Sequence, residues 1–186
     1  MAGNTEDGSV RPGNRWRLAV WGAAALALLI PFVAMQFTDE VAWDPADFIV
    51  FGAMLFAACG AYELAARMTE NIAYRAAVGI ALAAAFFLVW INGAVGIIGS
   101  EDNPANLMFG GVLLVGITAA FITRFRPQGM ARAMLATAIA QALVGAIALI
   151  AQLGNILVPT GLFVALWLTS AWLFQKAERE RNHGAD

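Results

Sequence analysis

The chain predicts an all-α fold, a six-helix transmembrane bundle of tandem helical hairpins with both termini on the cytoplasmic side. Three observations predict it. Of 186 residues, 61% are apolar and only 13% charged, with a mean hydropathy of +0.71, whereas roughly a quarter of the residues in an ordinary soluble domain are charged. The charges collect in tails and short loops, between apolar runs long enough to cross a hydrocarbon core about 30 Å thick. Finally, Asp44-Pro45-Ala46-Asp47 followed by Phe51-Gly52-Ala53-Met54-Leu55 recurs about 58 residues later as Asn103-Pro104-Ala105-Asn106 followed by Phe109-Gly110-Gly111-Val112-Leu113. The repeating unit is a membrane hairpin.

Residues 1–14 are polar, rich in Gly, Asn and Asp, and without periodicity, so a disordered N-terminal tail is expected there. The bundle is expected over residues 15–176 and a C-terminal tail over 177–186. The first apolar run, Leu18 to Met35, is long for the apolar region of a signal peptide, and the PFVAMQF around its end offers no small-x-small cleavage site. It is therefore read as the first spanning helix, with Pro31 near its far end. The loop Gln36 to Asp47 carries Asp39, Glu40, Asp44 and Asp47, and the second helix runs from about Pro45 to Arg67. The third runs from about Ala73 to Gly99, and the acidic turn SEDNPAN leads into the fourth, Pro104 to Ile122. In that turn Asn103 suits an N-cap, Pro104 the first helical position, and Asn106 lies three residues past the cap. The Arg-rich TRFRPQGMAR precedes the fifth helix, Met130 to Leu153, and the sixth occupies about Leu157 to Gln175 before the tail begins helical and then frays.

Basic residues near helix ends resist translocation, so the orientation follows from where they fall. With the N-terminus inside, all 11 Lys and Arg lie on one side, while Asp39, Glu40, Asp44, Asp47, Glu101 and Asp102 lie on the other without a base among them. Arg17, Arg75 and Arg132 begin the odd-numbered helices at spacings of 58 and 57 residues, which supports a parallel hairpin repeat. The third hairpin matches only weakly, its outer loop shortened to about Gly154-Asn155.

The combination WINGAVGIIGSEDNPAN and RFRPQGMARAM resembles small polytopic inner-membrane proteins of bacteria. The resemblance covers the third to fifth helices, rests on no catalytic motif, and implies the bacterial inner membrane as location without implying a function.

Chemistry has few residues to work with. The sole histidine, His183, lies in the tail, which leaves neither a bis-histidine haem nor a Ser-His dyad inside the membrane, and no C-x-x-C-H, phosphate loop, dinucleotide fingerprint or metalloprotease helix occurs. The single Cys59 is read as a packing residue. Neither an enzyme activity, a metal nor a cofactor is expected, and no nucleic-acid partner.

Clustered carboxylates could form a cation-binding rim. Asp44, Asp47, Asn103 and Asn106 are better read as helix caps, because an Asp in one copy becomes an Asn in the other, which keeps the cap and discards the charge. Glu63 is the one ionisable residue clearly inside a span, with Arg67 at i+4 as the expected partner. Asn92, Gln141 and Thr137, with Thr118, Thr169 and Ser170, are candidates for interhelical contacts or for a polar pathway. Small residues at Ala73, Ala77, Ala81 and Ala85, and the ridge Ala133, Thr137, Gln141 and Gly145, suggest the third and fifth helices as the bundle centre or as an oligomer seam. Two functions stand on this reading: an accessory or scaffold protein packed against another membrane protein in the lipid bilayer, and a channel or carrier for a small neutral or weakly polar solute, alone or as a homo-oligomer.

Overall fold

The computed structural model describes residues 15–38 and 40–184, with the side chain of Arg15 left aside. The expected N-terminal tail and Asp39 lie outside those residues. The described chain is all helical: α1 (Arg15–Ala34), α2 (Pro45–Met68), α3 (Ile72–Ala94), a short 3₁₀ turn (Pro104–Asn106), α4 (Leu107–Ile122), α5 (Pro127–Ile150) and α6 (Leu157–His183). Among the described residues six helices are each long and apolar enough to cross a membrane. The chain divides into two compact units, Met1–Glu63 and Leu64–Asp186.

In the first unit α1 and α2 form an antiparallel hairpin. Trp16 meets Tyr62 edge-on at 5.7 Å and Trp21 packs on Phe56 at 5.4 Å, so residues rise along α1 as they fall along α2. The loop entering α2 closes as a reciprocal cap: Asp44 Oδ1 accepts from the backbone amides of Ala46 and Asp47, and Asp47 Oδ2 accepts from the amide of Asp44. This arrangement satisfies three amides that the first turn of a helix cannot pair internally.

In the second unit α5 packs against both α4 and α6, and α3 packs on α6. The neighbour order is therefore α4, α5, α6, α3. This corrects the expected centre: α5 is central, but its central partner is α6, with α3 outside it. The reason lies in α6, whose Thr160, Phe163, Trp167, Ser170, Ala171, Phe174 and Ala177 are buried and serve two neighbours. Toward α5, a Cβ at Gly145 would come within 2.6 Å of Thr160 Cγ2, so these helices meet backbone to side chain at that level. Toward α3, Ser170 Oγ donates to the carbonyl of Ala77 at 2.8 Å, across the small-residue ridge that permits the approach.

Helix ends differ from expectation for local reasons. α3 stops at Ala94, a turn early, because Gly96 and Gly99 adopt φ of +71° and +72°, a region open to glycine at no steric cost. α6 continues through the charged tail to His183. Arg181 pairs with Glu178 at 2.6 Å and Lys176 with Glu180 at 3.9 Å, while Ala177 extends the buried stripe at 2% exposure.

Candidate functional site

Among the described residues four polar constellations stand out. In the first unit, Glu63 sits in the last turns of α2, its side chain 12% exposed. Its carboxylate pairs with Arg17 at 2.5 Å and accepts from Trp21 Nε1 at 2.9 Å. Arg17 and Trp21 lie on α1, contacts that sequence neighbourhood could not reveal, since 42 residues separate Trp21 from Glu63. The arrangement pins the hairpin closed and leaves the carboxylate committed to protein donors.

The second constellation is the α3–α4 turn. Asn103 caps the 3₁₀ turn by accepting from the amide of Ala105 at 3.0 Å. Asn106 does something other than the expected capping. It is 7% exposed, makes no side-chain cap bond to α4, and turns its amide back on the preceding loop. Its Oδ1 accepts from the amide of Ile98 at 2.9 Å, and its Nδ2 donates to the carbonyls of Ser100 at 2.7 Å and Ile98 at 3.4 Å. A loop without regular structure needs partners for its backbone groups, and one buried asparagine supplies them. Asn92 joins from α3: its Nδ2 donates to the Asn106 carbonyl at 3.0 Å and its Oδ1 accepts from the Ile97 amide at 3.3 Å. The aspartate-rich copy in the first hairpin keeps the reciprocal cap, so the two similar turns are built differently. A cavity of about 440 Å³ opens beside this turn, lined by Asn92, Gly93, Glu101, Asp102 and Asn103 together with Pro104, Asn106 and Leu107.

The third is the centre of the second unit. Gln141 is 0% exposed, and neither its Oε1 nor its Nε2 has a hydrogen-bond partner. Thr160 Oγ1 and Trp167 Nε1, both on the buried face of α6, are likewise unpartnered. Helical side chains lean toward their own N-terminus. On antiparallel helices paired at Gly145 and Thr160, Gln141 and Trp167 therefore lean toward each other's level. Thr137, 1% exposed, spends its hydroxyl on the carbonyl of Ala133 at 2.9 Å.

These placements correct the polar pathway suggested by the sequence. Asn92 is bound into the α3–α4 turn, Thr118 and Thr169 are exposed on outward faces, and Ser170 bonds to Ala77, so they do not join Gln141 and Thr137 in a continuous line. A cation rim fares similarly in the first hairpin, where Asp44 and Asp47 direct oxygens at backbone amides. Among the described residues no group of three or more His, Cys, Asp or Glu side chains could hold a metal ion.

The fourth constellation is the α4–α5 turn, whose basic residues contribute to the orientation expected from the sequence. α4 ends with the amide of Phe125 bonded to the carbonyl of Ala120 and that of Arg124 to Phe121, the double bond pattern that usually needs glycine after the helix. Here Arg124 and Phe125 take φ of 51° and 57°. The Tyr74 hydroxyl, reaching from the start of α3, donates to the Phe125 carbonyl at 2.7 Å and fixes the turn.

Comparison of the chain with protein-family models, curated proteins and solved structures finds no match.

Proposed function

We propose that this multi-pass membrane protein is a non-enzymatic accessory or scaffold component that packs against another membrane protein, in the bacterial inner membrane with both termini in the cytoplasm. The observation that carries the reading is the contrast in burial between helices. Only 6% of the most apolar stretch of α1 and 11% of that of α2 is buried, against 44% for α5, whose centre at Gln141 is closed at 0% exposure. Within their hairpin α1 and α2 cover little of each other's apolar surface, and what the hairpin leaves open suits lipid or further helices. Because lipid is as apolar as leucine, association there comes from close packing and polar contacts. Leu18, Leu26, Ile30, Phe32, Ile49 and Phe56 are among the large apolar side chains left open.

The test is purification of the tagged chain from native membranes in mild detergent. A stoichiometric membrane partner is the expected result. Recovery of the chain alone, as monomer or homo-oligomer, would remove the reading.

A second reading, a carrier or channel for a small neutral solute, rests on one observation: Gln141, Thr160 and Trp167 present buried hydrogen-bonding atoms without partners in the same helix pair. Solute flux into proteoliposomes that depends on Gln141 would favour it over the accessory role.

A further inference from the structure

We propose that the α4–α5 turn is a binding site for the phosphate headgroup of an anionic phospholipid. The proposal starts from a charge imbalance at one end of the second unit. The bonds from Tyr74 to Phe125 and from Asn71 to Glu180 gather the start of α3, the α4–α5 turn and the end of α6 at that end. The acids on α6 there are engaged, Glu178 by Arg181 and Glu180 by Lys176 and Asn71. The Arg75 guanidinium is occupied by the carbonyls of Ala66 and Thr69. Arg124, Arg126 and Arg132 are exposed, and among the described residues no carboxylate forms an ion pair with them. Three unpaired guanidiniums thus cluster in the turn and the opening turns of α5.

Backbone geometry defines the turn that presents Arg124. Arg124 and Phe125 both sit in the left-handed region, which side chains with a Cβ rarely enter and almost never in succession. The Tyr74 hydroxyl holds the Phe125 carbonyl in place. The same turn carries apolar anchors: Phe121, Ile122 and Phe125 are 66%, 75% and 41% exposed. Unpaired guanidiniums beside open aromatic and aliphatic side chains match one ligand chemistry, a phosphate diester with acyl chains attached. Guanidinium favours phosphate through its planar set of donors, and the apolar anchors select a lipid over free phosphate. The proposal requires only that this turn lies at a membrane surface, so it stands or falls apart from any protein partner.

The test uses the full chain, purified and delipidated, then offered phosphatidylglycerol or phosphatidylcholine, with retained lipid counted by native mass spectrometry. Phosphatidylglycerol is expected to bind more tightly than phosphatidylcholine and to withstand competition by inorganic phosphate. With each guanidinium worth about fivefold near a charged surface, R124Q/R126Q should weaken phosphatidylglycerol binding about 25-fold. R124K/R126K, which keeps the charge and controls for folding of the turn, should recover most of that loss. R179Q, which removes an equal charge from the end of α6 and leaves the α4–α5 turn intact, should change it less than twofold. Equal retention of both lipids, an unaffected R124Q/R126Q variant, an equal loss in R179Q, or displacement by inorganic phosphate would each overturn the assignment.

Discussion

Substituting Gln141 by methionine tests whether the centre of the second unit is dry. Methionine is unbranched and close in size, so the change removes an amide with little change of shape. Neither polar atom of that amide has a partner, at 0% exposure. A buried unsatisfied group costs about 1–3 kcal/mol, and a volume-conserving swap in a packed interior costs under about 1.5 kcal/mol. Q141M should therefore stabilise the fold by about 1 kcal/mol, read as a shift in a reversible unfolding titration in mixed micelles. The contrasting amide is Asn106, buried at 7% with three side-chain hydrogen bonds to the loop before it. N106A strands the amide of Ile98 and should destabilise by about 2–4 kcal/mol. Two buried amides, one orphaned and one satisfied, should thus shift stability in opposite directions. Destabilisation by Q141M of 1 kcal/mol or more would refute the reasoning, because it would mean that the amide has a partner, water or solute, and that the centre is wet.

Other changes should read out single contacts. E63Q keeps an acceptor for Trp21 but removes the charge facing Arg17; because Arg17 is 42% exposed, solvent weakens the pair and the loss should be about 1 kcal/mol in the same titration. A loss above about 3 kcal/mol would mean a far better shielded ion pair. N103A and D44A should each cost about 1 kcal/mol as lost caps, D44A the more because its carboxylate serves two amides; no loss from either would count against the capping account.

Hydropathy made six helices legible because a spanning segment must hide its backbone polar groups within itself, and that demand is written in every residue of an apolar run. Asn103 and Asp44 were legible for the related reason that a cap bonds within its own turn. Contacts between distant segments were not. The Arg17–Glu63 pair and the Tyr74–Phe125 bond join elements 46 and 51 residues apart, and no local pattern encodes them. Asn106 misled because its spacing after Asn103 matches a cap, while burial of Ile98 and the glycine-broken end of α3 gave its amide a more demanding task. The small-residue ridge of α3 was visible, but which helix fills it was decided by α6, whose buried stripe serves two faces. The tail after Gln175, expected to begin helical and then fray, stays helical to His183, with the pairs Lys176–Glu180 and Arg181–Glu178 at i+4 and i+3 extending it.

The account as a whole depends on the basic ends of these helices lying together in the cytosol. Cysteine accessibility measures that directly, since the chain has a single cysteine, Cys59, buried at 8% exposure. In a Cys59→Ala background, cysteine placed at Gln128 in the first turn of α5 should react with a membrane-impermeant maleimide only after permeabilisation, and cysteine placed at Asp102 should react in intact cells. Labelling of the Gln128 position in intact cells would contradict the account.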